Sequence, residues 1–258
     1  MQVTESPFGA LLKDWRGQRR MSQLDLGLAA NVSARHISFL ETGRARPSRS
    51  MVIQLTESLE VPRGARNALL NAAGFSPAYR SRDLNESDMA HVRAAVDWTL
   101  ERHDPFPAFA LDRYWCLVAA NQSASMMLGT LGLKVGESML DAFTGSDAVR
   151  VAIDNWPEVA HHMMVRLRTE SAHLGGDAIL DRAADAFASE ADGSGIDTPG
   201  ALPAVIPARY RANGVVFSFF STIAQFGTAE DIALADLKIE LLFPADDATR
   251  DILLANGE

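Results

Sequence analysis

The chain opens with apolar residues at helical spacing. Phe8, Leu11, Leu12 and Trp15 share one side of a 3.6-residue period and predict a first helix over residues 8–20. Ser22 then stands where it can cap a second helix, with Asp25 three positions on as a short-armed capping box. Leu24, Leu28 and Ala29 are expected to form that helix's apolar side. Asn31-Val32 breaks the period, and Ser33 can cap a third helix. There Ile37 and Leu40 face inward, while Arg35, Ser38, Phe39 and Thr42 fall elsewhere on the wheel. Gly43 lies where a helix end favours a left-handed residue. Pro47-Ser48 starts a fourth helix carrying Met51, Val52, Leu55 and Leu59. Pro62, in a first-turn position, starts a fifth that ends near Gly74.

Beyond a polar, charged stretch over 79–86 the pattern changes. Met89, Val92, Ala95, Val96 and Leu100 continue the helical period, which stops before Pro105 and Pro107. Residues 107–121 read as two short strands turning at 112–114, after which Asn121 can cap a helix through Leu128. Helices are predicted over 142–154, 156–170 and 177–188, then a flexible loop over 193–200. Three strands follow, near 205–210, 215–224 and 233–243. Val215, Phe217, Phe219 and Ile223 share one face of the second. In the third, Leu237, Ile239, Leu241 and Phe243 oppose Lys238 and Glu240, which predicts an antiparallel sheet with one covered face. The expected organisation is two domains. Residues 1–78 form an all-α head of about five helices, 79–86 a linker, and 87–258 an α+β domain with an antiparallel sheet of about five strands.

The net charge of −9 argues against a nucleic-acid binder until the chain is divided. Residues 1–80 carry 11 basic and 6 acidic side chains, a net of +5, and the rest carries −14. Such asymmetry fits a nucleic-acid-facing head on an acidic body. One cysteine, Cys116, excludes a disulfide framework or a cysteine-rich zinc site. The uncharged stretches 114–133 and 212–229 carry Asn, Gln, Ser and Thr within them, which argues against membrane spans. No signal peptide is read at the start, so a cytoplasmic protein with no membrane partner is expected.

Two short helices joined by a tight turn, the second with a polar outer face, describe a helix-turn-helix. The stretch from Met21-Ser-Gln-Leu-Asp-Leu to Leu40-Glu-Thr-Gly-Arg-Ala-Arg-Pro-Ser48 resembles XRE/Cro-type DNA-binding domains, a likeness covering residues 8–74. Gly27 departs from it, since the family usually has Ala there. By position, Ala34 and Arg35 lie at the helix end that approaches base edges. The Arg35 fork suits guanine O6/N7, and Phe39 either lies against a thymine methyl or packs in the core. Ser33, His36 and Ser38 are within reach of bases or phosphates, and Gln23 matches a backbone-contacting position. Arg44, Arg46 and Arg49 are expected on phosphate. Arg16 and Glu41 match a family pair that bridges the first and third helices, a structural role.

The hairpin ending in Asn and a helix resembles the start of PAS-type sensor domains. More specifically, Phe106-Pro-Ala-Phe-Ala-Leu-Asp-Arg-Tyr-Trp115, Ala119-Ala-Asn121, Asp154-Asn-Trp-Pro157 and Arg166-Leu-Arg168 resemble the MmyB-like ligand-binding domain of actinobacterial-type regulators. That likeness implies a one-component transcription regulator whose body holds a fatty acid or other small apolar ligand. No other cofactor and no metal is expected. Trp115, Met126, Met127, Met163, Phe217, Phe219, Ile239 and Leu241 are candidate lining residues, although the same residues would equally make a plain core. His162 and Arg166 could meet a ligand carboxylate. The expected partners are a double-stranded DNA operator and the apolar ligand. A homodimer is expected because one helix-turn-helix reads one half-site.

The rival is a regulator whose body binds no ligand and serves as a dimerisation or partner-binding module. An enzyme is not expected. No nucleophile elbow, phosphate loop or His-Glu-x-x-His occurs, and Asp154, Glu158 and His162, read as one helix face, lack a further metal ligand.

Overall fold

A computed structural model of the chain describes residues 6–191 and 205–255; the loop expected over 193–200 lies outside them. The chain divides into two units, built chiefly from the residues up to Ser81 and from Arg82 onward.

The first unit is all-helical: α1 (Pro7–Gln18), α2 (Gln23–Ala29), α3 (Ala34–Glu41), α4 (Arg49–Ser58) and α5 (Arg63–Ala72). Its boundaries follow the local chemistry. Ser22 and Asp25 form a full capping box, with Asp25 N donating to Ser22 Oγ at 3.1 Å and Ser22 N donating to Asp25 Oδ2 at 2.8 Å. Ser33 and Ser48 cap α3 and α4 by the forward bond alone, their Oγ accepting from His36 N and Met51 N. Pro62 is the cap residue of α5 and not its first helical residue. Phe8, Leu12, Trp15, Leu26, Ile37, Leu40, Val52, Leu55 and Leu69 fill the core.

The face assigned to α2 is corrected. Leu24 and Leu28 are 60% and 74% exposed, and Leu26, Gly27 and Ala30 turn inward instead. Gly27 explains the choice. A Cβ there would sit 2.5 Å from the Val32 carbonyl oxygen, so glycine lets α2 close on the turn before α3. Its helix-propensity cost of about 1 kcal/mol is accepted for that approach.

The second unit contains α6 (Ala90–Glu101), β1 (Ala108–Leu111), β2 (Leu117–Ala120), α7 (Gln122–Thr130), α8 (Met139–Gly145), α9 (Asp147–Ala152), α10 (Trp156–Leu174), α11 (Ala178–Glu190), β3 (Ala208–Ala212), β4 (Val215–Ala224), α12 (Ile232–Asp236), β5 (Lys238–Pro244) and α13 (Asp247–Ala255). The strands form one antiparallel sheet in the order β2-β1-β5-β4-β3. Last strand therefore pairs with first, Ala110 opposite Ile239.

Three expectations shift. The helix over 142–154 breaks at Ser146, which is extended, and Ile153 pairs with Tyr210 as an isolated bridge. Asp154 therefore lies before α10, whose first turn is fixed by Pro157. The strand begun at 233 is helical as far as Asp236, where Ala233, Leu234 and Ala235 favour helix over strand. Both faces of β1 and β5 are covered, not one. Ala108, Ala110, Leu237 and Ile239 pack with Val96 and Leu100 of α6, while Lys238 and Glu240 opposite are only 5% and 6% exposed.

Asn121 locks the hairpin to its surroundings. Its Oδ1 accepts from the backbone N of Ala108 and Ala124, and its Nδ2 donates to the carbonyls of Leu100 and Phe106. All four hydrogen-bonding positions of that buried amide are used.

Candidate DNA-binding surface and ligand cavity

In the first unit, Arg35, Arg44, Arg46 and Arg49 are exposed, and Ala34, His36, Ser38 and Phe39 are half-buried. Phe39 is not core. Its ring lies beneath the Arg35 guanidinium, 5.2 Å from carbon to ring centre, so the two present one composite surface. Ser33 is committed to its cap. Gln23 is partly committed, with Nε2 donating to Glu41 Oε2 at 2.8 Å. Arg16 reaches the same carboxylate from α1.

In the second unit, a cavity of about 450 Å³ opens between the sheet and α10, within the size range of small-molecule sites. Its walls come from elements far apart in sequence. Phe109 enters from β1, Met127 and Leu128 from α7, Met139 and Phe143 from α8, Tyr210 from β3, and Phe219 from β4. Val159, His162, Met163 and Arg166 recur along one face of α10. Asn155 anchors the start of that helix to the sheet. Its Nδ2 donates to the Pro207 carbonyl at 2.8 Å and its Oδ1 accepts from Arg209 N at 2.9 Å.

One end of the cavity is polar. The β1–β2 turn is tied by Asp112, whose Oδ1 accepts from Tyr114 N and Cys116 N. It holds Trp115 at φ +62°, a left-handed conformation that an indole-bearing residue adopts at a cost of about 1–3 kcal/mol. The turn drives the indole inward. Its ring lies 4.2 Å from the Arg166 guanidinium carbon and 4.6 Å from Lys238 Nζ, and its Nε1 donates to Glu170 Oε2 at 3.0 Å. Glu170 also accepts from Lys238 Nζ at 2.7 Å and from Arg166 Nε at 3.1 Å.

Burial alone would raise the Glu170 carboxyl, but Lys238, Arg166 and the indole together outweigh it and hold it below the ordinary range. Burial pushes Lys238 down, against the pull of Glu170. His162 keeps part of its ring exposed at the rim; partial burial, then the Arg166 charge, lowers its pKa. Burial and Asp112 push the Cys116 thiol up, against reactivity.

Of the residues singled out in the sequence, Trp115, Met127, His162, Met163, Arg166 and Phe219 line this cavity. Met126 is 61% exposed and, with Phe217, borders a second hollow of about 460 Å³. Met127, Tyr210 and Phe219 border both spaces. Ile239 and Leu241 lie in the cluster beneath α6, on the other side of the sheet from Glu240. Their alternation placed them on a covered face but not on the cavity's face. Glu240 and Tyr210 were missed; the only signal was their period-two position in a strand. The Asp154, Glu158 and His162 face dissolves, since Asp154 pairs with Arg211 and Glu158 accepts from Asn155. Among the described residues no three His, Cys, Asp or Glu side chains gather as a metal site, and no helix is long and apolar enough to cross a membrane.

Comparison with known proteins agrees with this division. Residues 7–69 match the family described as a helix-turn-helix domain, and residues 92–255 match the MmyB-like transcription regulator ligand binding domain. The chain is also similar to uncharacterized HTH-type transcriptional regulators of Mycobacterium tuberculosis and Mycobacterium bovis. Each is 27% identical over 185 residues, covering 67% of this chain and 72% of the relative. These are regulator families, not enzyme families. The match over residues 92–255 spans well over half of the chain, and by it the chain belongs to the MmyB-like transcription regulators.

Proposed function

We propose that the chain is a cytoplasmic, sequence-specific transcription regulator whose C-terminal domain senses a small apolar ligand of the fatty-acid kind, one apolar chain with a polar end. Residues 1–78 act as the DNA-binding head, 79–86 as linker and 87–258 as a PAS-like sensor. The observation that carries the reading is the 450 Å³ cavity, apolar along most of its wall and polar at one end, inside the region that matches a ligand-binding family. A body serving only as a dimerisation module has no need of such a space, and a void of this size costs packing energy when empty.

In the head, Arg35 with Phe39 reads base edges, and Arg44, Arg46 and Arg49 hold phosphates. Two copies bind a two-fold operator, and the ligand favours one relative placement of the heads.

The test is the intact mass of the purified protein under native and then denaturing conditions. A small-molecule adduct lost on denaturation, with the mass of an apolar chain compound, is the expected result. A bare mass in both, together with operator binding that no added chain compound shifts, overturns the sensor reading in favour of the ligand-free module.

A further inference from the structure

We infer that Tyr210 sets the length of the apolar chain that the cavity accepts, as the wall that divides one long trough over the sheet into two hollows. The inference rests on the reading of the cavity as a ligand site. Side chains two residues apart on a strand share a face. On β3, Ala208 lines the 450 Å³ cavity, Tyr210 borders both spaces, and Ala212 lines the second hollow of about 460 Å³. The neighbouring β4 repeats the order: Ser221 lines the first space, Phe219 both, and Phe217 the second. The register sets Ala208 opposite Phe219 and Tyr210 opposite Phe217, so the two series run side by side on one face. The hollows are successive stretches of that face, and Tyr210, Phe219 and Met127 stand where they meet.

Of these three, Tyr210 is the one held at both ends. Its backbone pairs with Phe217 of β4 and, as an isolated bridge, with Ile153. Its hydroxyl hydrogen-bonds Thr130 Oγ1 at the end of α7, and that oxygen in turn donates to the Met127 carbonyl at 2.7 Å. The buried ring is thereby fixed across the gap between the sheet and α7. Met127 is unbranched and adaptable, so it yields where Tyr210 does not. The Phe219 ring lies parallel to that of Phe217, 6.3 Å between centres along the same strand, and leaves the trough open lengthwise.

A chain lying in the first space therefore meets the Tyr210 ring before it reaches the second. Each methylene buried short of that wall adds about fourfold to affinity. One that must pass it pushes a packed ring off its rotamer, and the gain turns into a loss. Without the ring the trough runs on over Phe217 and Ala212, and burial resumes.

The experiment mixes the full chain at neutral pH with equal amounts of the even-numbered saturated fatty acids from decanoate to icosanoate. Native mass spectrometry reads which of them is bound, and circular dichroism reads whether each variant is folded. The wild type is expected to prefer one length and to lose at least about tenfold over the next two carbons. Tyr210→Ala should move the preferred length up by two carbons or more, the first added pair gaining about tenfold or more. Ala212→Trp, which fills the second hollow, should leave the wild-type preference unmoved and should cancel the gain of Tyr210→Ala. Wild-type affinity that rises to the longest chain overturns the inference. So does a folded Tyr210→Ala with an unmoved preference, or a gain that survives Ala212→Trp. If Tyr210→Ala does not fold, Ala212→Trp alone still decides, since a shortened preference there means that the chain already passes Tyr210. If no fatty acid binds the folded wild type, the sensor reading itself fails, a result distinct from binding without the expected length limit.

Discussion

Arg16 grips Glu41 with two parallel hydrogen bonds, Nε to Oε1 at 2.7 Å and Nη2 to Oε2 at 3.0 Å. The pair joins α1 to the end of α3, and Gln23 adds a donor from α2, so one carboxylate ties three helices of the head together. The Glu41 side chain is only 4% exposed. The bond to Glu41 raises the Arg16 pKa despite burial. Removing one partner leaves the other buried and unpaired, which costs far more than breaking a surface pair. Glu41→Ala should therefore lower the stability of the head by about 3 kcal/mol in denaturant unfolding. A loss below about 1 kcal/mol would mean that the pair behaves as a solvated one.

Arg35 and Arg46 are both exposed arginines of the head, but their expected contributions differ in kind. Arg35→Ala should cost about 1–3 kcal/mol on the preferred operator and flatten the preference at one base position. Arg46→Ala should weaken preferred and random duplexes alike and lower the slope of log affinity against log salt by about 1. Anisotropy titrations across salt on both duplexes separate the two. Equal loss on both duplexes for Arg35→Ala would assign that residue to the phosphate backbone.

Glu170 is expected to make the second unit acid-sensitive. Its carboxyl is held below the ordinary range, so the unfolded chain takes up the proton more readily than the folded one. The stabilisation is complete above the unfolded value of about 4.3 and is lost as pH falls through the lower folded value. Glu170→Gln should be less stable than the wild type at neutral pH, and the gap should narrow as pH drops below about 4.3. Unfolding curves that stay parallel over that range would show that Lys238, Arg166 and Trp115 do not depend on the ionised carboxylate.

How much was legible in the sequence varied with the range of the interactions. Ser22, Ser33 and Ser48 cap helices through bonds to residues three positions on, so the head could be read from local spacing alone. Asn121 as a cap was equally legible. Leu24 and Leu28 were not, because which side of a short helix turns inward depends on what Gly27 must approach.

The sequence by itself determined a basic helix-turn-helix head, an acidic α+β body, and the indole and guanidinium that meet in it. Only the tertiary structure decided where they meet. Pairing of β1 with β5 and the docking of α10 bring Trp115, Arg166, Glu170, Lys238 and Glu240 into one group. Period-two alternation says that Lys238 and Glu240 share a face. Whether that face meets water or a helix depends on packing between segments about seventy residues apart, and no local pattern encodes it.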